Sequence, residues 1–279
     1  MIAFVAWEVK KNGGELPAFR LDKYIILRTI GELQMPYIKS ICRAGKTKEI
    51  AKYYTRRYQP TREKRNIKRK ETTESQQKIN DRYLVRKLTR ILNANFDDSS
   101  RYVTFSYRIE DRPDVGGLKS HKRDLLKKMR KVYRDEGREL KYVETAEVGE
   151  RGALHIHMVI NDVDIRKIER LWKYGYVSSK PLDSSGQYRK LAEYFIKYAQ
   201  KTRKTADKIQ SKAYNCSRNL KRPQPRKRIM RGRSFRKAIK VPAGWYLDKE
   251  SVREGITEEG YEFLYYTLIR IGASQRGAP

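Results

Sequence analysis

The sequence that most constrains the topology is LKYVETAEVGERGALHIHMVI, residues 140–160. Two runs rich in β-forming residues flank a Gly-Glu-Arg-Gly turn at positions 149–152. Such runs, separated by a short glycine-containing loop, predict an antiparallel β-hairpin. Alternate residues of a strand point to opposite faces, so His155 and His157 share one face while the aliphatic residues around them face a core.

The hairpin lies within an alternating series of predicted strands and helices. The expected elements are strands at 101–109, 140–148, 153–160 and 174–178 and helices at 118–133, 164–172 and 187–201. The helical segments carry apolar residues at intervals of three and four, whereas the strands alternate or are rich in β-formers. The order β-α-β-β-α-β-α predicts an α+β fold, with a ferredoxin-like split βαβ core, an antiparallel sheet and one appended helix.

The composition predicts a nucleic-acid partner. The 279 residues include 65 Lys and Arg against 33 Asp and Glu, which gives a formal net charge of +32. Such self-repulsion is tolerated when a polyanion neutralises it. We expect three regions: an N-terminal basic extension of unassigned fold at 1–99, the α+β core at 100–203, and a basic C-terminal segment with a short terminal strand at 204–279.

Two segments concentrate the positive charge. Residues 43–70 carry twelve Lys and Arg with interleaved tyrosines, which fits either a solvated helix or arm or a direct DNA contact. Residues 208–247 carry thirteen Lys and Arg and no acid, which predicts an extended segment that becomes ordered only against DNA. The candidate DNA-binding residues in these segments are Arg56, Arg57, Tyr58, Arg218, Lys221, Arg222, Arg226, Lys227 and Arg228.

The same sequence excludes several classes of protein. No stretch approaches the roughly 20 apolar residues of a membrane span. Two cysteines cannot form a disulfide framework or a multi-cysteine zinc site, so we expect a reduced, intracellular protein. Residues 44–47 (AGKT) resemble the end of a phosphate-binding loop, but Ser40 stands where that motif requires glycine. We therefore expect no ATP binding.

The histidine pair predicts a site for a divalent cation. Two neutral imidazoles on one strand face can converge on one ion, and a metal that activates phosphate also needs a carboxylate ligand. Glu144 and Glu147 on the preceding strand are both candidates, and the hairpin register chooses between them. A three-residue loop ending at Gly152 would place Glu147 opposite His155, which favours Glu147, whereas a four-residue loop would favour Glu144.

The helix predicted at 187–201 carries the second set of candidate residues. Its apolar residues fill one arc, and two tyrosines and two lysines share the neighbouring arc. The set is Tyr194, Lys197, Tyr198 and Lys201, in the pattern YxxKYxxK. Phenols one helical turn apart can act as nucleophiles, and the ammonium groups favour the phenolate and also hold phosphate.

Together these motifs resemble those of the HUH endonucleases. The YVTFS strand that begins at Tyr102, Glu147 and Gly149 ahead of the His-Ile-His strand, and the two-tyrosine helix are similar to motifs one, two and three of that superfamily. The order, histidines first and tyrosines later, resembles that of rolling-circle replication initiators. The YxxKYxxK pattern is similar to that of the A protein of small isometric single-stranded DNA phages. The resemblance covers residues 100–203.

The resemblance implies an enzyme that nicks one DNA strand at a replication origin. His155, His157 and Glu147 would bind Mg²⁺ or Mn²⁺. Tyr194 or Tyr198 would attack the phosphate, leaving a 5′-phosphotyrosine link and a free 3′-OH, and the strand would later be rejoined.

The implied partners are single-stranded or supercoiled origin DNA, together with a host helicase and DNA polymerase in the bacterial cytoplasm. Membrane association is not expected. Two alternatives stay open: a non-catalytic protein that binds single-stranded DNA, and a nickase of the same kind that serves transposition or mobilisation.

Overall fold

The computed structural model describes residues 37–54, 73–149, 152–203, 212–230, 235, 237–257 and 260–271. Within these ranges the chain forms four helices and ten strands. The helices are α1 (Glu74–Asn95), α2 (Val115–Asp135), α3 (Ile165–Glu169) and α4 (Arg189–Arg203). The strands are β1 (Tyr37–Ala44), β2 (Thr47–Tyr54), β3 (Arg101–Ser106), β4 (Tyr142–Val148), β5 (Leu154–Ile160), β6 (Val177–Pro181), β7 (Asn215–Cys216), β8 (Arg226–Ile229), β9 (Trp245–Ile256) and β10 (Glu262–Arg270).

The central sheet contains five antiparallel strands in the order β6-β3-β5-β4-β7. Its first four strands and the helices between them follow the chain order β3-α2-β4-β5-α3-β6, which is the split βαβ arrangement, and α4 is appended after it. The predicted α+β, ferredoxin-like core is confirmed. The element bounds differ by a few residues, because β6 begins at Val177 rather than at Tyr174.

Local signals set the ends of α2. The Asp114 side chain accepts a hydrogen bond of 2.7 Å from the Gly117 amide, as an N-cap residue does. The helix ends just before Gly137, whose φ of +68° lies in the left-handed region that glycine adopts without strain. The predicted helix and its glycine stop are therefore confirmed.

Helices cover both faces of the central sheet and create two apolar layers. The layer under α2 and α3 includes Phe105, Leu118, Met129, Tyr133, Ile156, Met158 and Ile168. The layer under α4 and α1 includes Leu88, Leu92, Val143, Val159, Ala192, Phe195 and Ile196. Burying each large apolar side chain stabilises the fold by about 1.5–3 kcal/mol. The second layer therefore fixes α4 against the sheet face that carries the histidines.

A second five-stranded antiparallel sheet, the terminal sheet, has the order β8-β1-β2-β10-β9. It corrects two expectations. Residues 43–54 are neither a helix nor an arm, because they belong to the β1–β2 hairpin. Residues 226–229 and 245–256 are ordered without DNA, since they pair as β8 and β9. Alternating lysines gave these strands the appearance of solvated segments, and pairing between distant parts of the chain leaves no local signature.

Helix α1 links the two sheets through a buried asparagine. The Asn93 side-chain amide donates to Thr47 Oγ1 and to Gln187 Oε1, both at 3.0 Å, and its oxygen accepts from the Tyr188 amide at 2.9 Å. Arg90 adds two hydrogen bonds to Glu49 of β2. These bonds tie the terminal sheet to the beginning of α4.

The turn at residues 44–47 joins β1 and β2 and does not lead into a helix. Gly45 has a φ of +54°, and a Cβ there would lie 1.9 Å from the Asn93 carbonyl oxygen, so only glycine fits. The hairpin turn therefore explains the AGKT sequence. In the part of the chain that is described, no helix has the length and apolar character to cross a membrane.

Candidate active site

The β4–β5 hairpin sets the relative positions of the histidines and the two glutamates. The Gly149 amide donates to the Ala153 carbonyl at 2.7 Å, and Gly152 has a φ of +70°. In this register Glu147 pairs with His155. The register expected for a loop ending at Gly152 is confirmed.

Glu144 lies on the opposite face of β4, toward α2. It is 1% exposed, and its carboxylate contacts Lys122 Nζ at 2.9 Å and Asn215 Nδ2 at 2.7 Å. Glu144 is thus held in an ion pair within the other layer of the fold. Of the two glutamates left open by the sequence, the hairpin brings Glu147 to the histidine face.

Glu147 and His157 are in direct contact. His157 Nε2 lies 3.0 Å from Glu147 Oε2, and the two side chains are 10% and 7% exposed, respectively for Glu147 and His157. Burial, and next the neighbouring His155, lower the pKa of His157 to about 4. Burial, and next the charge of Arg112, lower the pKa of His155. Both imidazoles are therefore neutral near pH 7, which is the form that binds metal ions.

Hydroxyl groups of β3 position both imidazoles from behind. The Tyr102 and Thr104 oxygens lie 2.7 and 3.2 Å from Nδ1 of His157, and Ser106 Oγ lies 3.0 Å from Nδ1 of His155. A hydroxyl can donate to Nδ1 or accept from it, so these contacts suit either tautomer and leave Nε2 facing the site.

The sequence marked this YVTFS strand as part of a motif but gave its hydroxyls no role. The alternation of hydroxyl side chains on one strand face was the available signal, since Tyr102, Thr104 and Ser106 lie at intervals of two. Which strand would neighbour β5 was the missing information.

Helix α4 brings both tyrosines to the histidines. The Tyr198 ring stacks on the His157 ring with 4.9 Å between centroids, and Tyr194 packs edge-on against Tyr198 at 4.2 Å. Burial, a hydrogen bond with Tyr194 and the charge of Glu147 raise the pKa of Tyr198. Tyr194 is more open, at 40% exposed. The site is therefore a cluster of two phenols, two imidazoles and one carboxylate.

The other predicted residues lie elsewhere. Lys197 is exposed and lines a cleft between α4, α1 and the terminal sheet. Lys201 is in α4, but its side chain lies outside the described residues, as do Arg56, Arg57 and Tyr58. The remaining candidates lie around β7 and β8 and are not part of this cluster: Arg218, Lys221, Arg222, Arg226, Lys227 and Arg228. Their roles in DNA binding stay predictions.

The donor set can be tested against a divalent cation. Neighbouring ligands of octahedral Mg²⁺ lie about 3.0 Å apart, since each is about 2.1 Å from the ion, and Nε2 of His157 and Oε2 of Glu147 match that separation. A Cβ at Gly149 would lie 3.5 Å from Nε2 of His155, so glycine keeps that edge open. The chemistry of the donors therefore fits the ion.

The third ligand stands farther away. The rings of His155 and His157 are 6.1 Å apart between centroids. Among the side chains that the structure describes, no group of three or more His, Cys, Asp or Glu is already arranged to hold a metal. His155 would have to move toward the other two ligands on binding.

The fold and this cluster define a ferredoxin-like α+β domain with a histidine pair facing a two-tyrosine helix. Residues 100–203 match the family model of the replication-associated protein ORF2. No curated protein and no solved structure gives a significant match to the chain. The matched range contains both histidines and both tyrosines, and the match supports a role in DNA replication.

Proposed function

We propose that this protein initiates rolling-circle replication by nicking one strand of origin DNA and later rejoining it. The observation that carries the proposal is the position of Tyr198 and Tyr194 against the His157–Glu147 pair. The match of the same residues to a replication-associated family gives independent support. The substrate is single-stranded DNA or the exposed strand of a supercoiled origin.

His155, His157 and Glu147 are the residues that would hold Mg²⁺ or Mn²⁺. When bound, such an ion polarises the scissile phosphate as a Lewis acid. The protein supplies neutral imidazoles with fixed orientation, because the β3 hydroxyls contact their Nδ1 atoms. Glu147 supplies the negative charge that the imidazoles lack.

A tyrosine of α4 is the nucleophile. Its phenolic oxygen bonds to phosphorus, the bond from phosphorus to the 3′-oxygen breaks, and the phenolic proton ends on the departing oxygen as a 3′-OH. The raised pKa of Tyr198 keeps its phenol protonated before DNA binds, and the charge of Glu147 contributes to that shift. Compensation of the Glu147 charge within the bound site would favour loss of the phenolic proton.

Two tyrosines allow two strand transfers in one cycle. One phenol can retain the first 5′ end while the other cuts after a round of synthesis, and the energy of the phosphodiester is conserved in the tyrosyl link. Lys197 and Lys201 would bind phosphate beside the nucleophiles. A host helicase and polymerase would supply unwinding and synthesis, since neither activity belongs to this site.

The proposal predicts a metal-dependent covalent adduct. Origin-bearing single-stranded DNA is incubated with the protein and Mn²⁺, and tyrosyl peptides linked to DNA are identified by mass spectrometry. We expect adducts in each single variant, Tyr194→Phe and Tyr198→Phe, and none in the double variant. Tyr176→Phe is the matched control, because that ring is 74% exposed and lies on neither α4 nor β5. An adduct that persists in the double variant contradicts the proposal.

A further inference from the structure

A cleft of about 640 Å³ lies between α1, α4 and the terminal sheet. The residues that matter here are Arg82 and Arg86 of α1, Lys197 and Gln200 of α4, and Arg253 and Tyr265 of the terminal sheet. The cleft thus has one wall on each part of the molecule, and α4 is common to it and to the tyrosine cluster.

Three cations of the cleft have no carboxylate partner within 4.0 Å among the described side chains: Arg82, Lys197 and Arg253. The Arg253 guanidinium donates instead to the backbone carbonyls of Glu250 and Val252. Cations that line a concave surface without an acidic partner favour an anionic ligand, because the surrounding low-dielectric walls concentrate their field.

An arginine and a tyrosine form a stacked pair in the same cleft. The Arg86 guanidinium lies 4.8 Å from the centroid of the Tyr265 ring, and Glu49 orients Arg86 from 3.6 Å away. Planar guanidinium and aromatic groups beside backbone-binding cations are the combination that binds unpaired bases together with their phosphates.

The cleft and the tyrosines occupy adjacent faces of α4. Lys197 and Gln200 face the cleft, and Tyr194 and Tyr198 face the histidines. Since each residue advances a helix by about 1.5 Å, less than one nucleotide of chain separates the two faces along the helix axis.

We infer that this cleft binds the single strand of DNA that continues from the scissile phosphate, with Arg82 and Arg253 on its phosphates and Arg86 and Tyr265 beside a base. The inference rests on the proposed nicking function for the identity of the strand. A duplex does not fit, because a cleft of this volume admits single nucleotides rather than paired ones. The terminal sheet is then a DNA-binding wall of the active-site region.

The salt dependence of binding tests the inference. Binding of labelled oligo-dT to the full chain is measured by fluorescence anisotropy between about 50 and 200 mM NaCl, where each phosphate contact to a single strand contributes about 0.7 to the slope of log affinity against log salt. We expect the Arg82→Gln/Arg253→Gln double variant to lose about 1.4 of that slope. The matched control is Lys127→Gln/Lys128→Gln, two exposed lysines of α2 on the far side of the central sheet.

The outcome separates this inference from the proposed function. The Tyr194→Phe/Tyr198→Phe variant should keep the full slope even though it forms no adduct. If the wild type forms no adduct but the Arg82/Arg253 loss appears, the nickase proposal fails and the cleft stands as a DNA-binding surface. An equal loss of slope in the arginine and lysine double variants, or a loss in neither, overturns the cleft.

Discussion

The central and terminal sheets have the same number of strands and the same antiparallel pairing, yet they are assembled differently. Four of the five central strands come from one continuous stretch between Arg101 and Pro181. The terminal sheet instead joins strands from residues 37–54 with strands from 226–270. Continuity in sequence is what made the central sheet recognisable from local patterns.

The two sheets also present different chemistry. The central sheet exposes imidazole, carboxylate and hydroxyl groups to α4. The terminal sheet sets lysines against aromatic rings: Lys48 Nζ lies 5.9 Å from the Trp245 ring centroid and Lys52 Nζ 5.4 Å from that of Phe235. This difference favours a division in which the central sheet performs the chemical step and the terminal sheet contributes to binding DNA.

The largest expected effect would separate chemistry from binding. In a His155→Ala/His157→Ala variant we expect adduct formation to fall by about a thousandfold or more, because two metal ligands are lost. Single-stranded DNA binding, measured by anisotropy, should change little. His121→Ala is the control, since His121 is the third histidine and stacks on Tyr174 instead. Wild-type adduct formation without the histidine pair would locate the chemistry elsewhere.

A second experiment asks whether the sheets are one cooperative unit. Phe195→Ala empties a buried position under α4 and should lower the free energy of unfolding by about 3–5 kcal/mol, and Ile50→Ala in the terminal sheet by about 2–5 kcal/mol. Because Asn93 and Arg90 of α1 bond to the terminal sheet, both should shift a single urea transition. Ile256→Ala, at an exposed position, should leave it unchanged. Two separate transitions would show that the sheets unfold independently.

The third prediction concerns the β3 hydroxyls. A Tyr102→Phe/Ser106→Ala variant keeps the packing but removes two groups that position the imidazoles, so we expect Mn²⁺ affinity to fall about 10- to 100-fold. Isothermal titration calorimetry measures it, and Ser120→Ala in α2 serves as the control. Unchanged affinity would mean that these hydroxyls pack against the rings without orienting them.

The smallest effect isolates the close approach of the two regions at Gly45. Gly45 and Gly244 both have a positive φ, but a Cβ would meet the Asn93 carbonyl at the first and nothing within 4 Å at the second. We therefore expect Gly45→Ala to destabilise the protein by at least about 1 kcal/mol more than Gly244→Ala in urea unfolding. Equal effects would mean that the turn can move away from α1.

Most of the central fold could be predicted because its signals are local. The helical spacing of α2, the alternation in β3 and β5 and the loop ending at Gly152 each act over a few residues. The hairpin loop alone was enough to favour Glu147 over Glu144 for the histidine face. Basic strands such as β2 and β8 could not be distinguished from solvated segments, because their partners lie far away in the sequence.

The sequence by itself therefore determined the α+β core, the shared face of His155 and His157, and the nucleophile face of α4. Only the tertiary structure decided that Tyr198 stacks on His157, that Tyr102 stands behind it, and that strands from before and after the central sheet pair with each other. Strand and helix periodicity follow from backbone geometry within a segment. Contacts between segments depend on how the whole chain packs, since they form only when distant apolar surfaces are buried together.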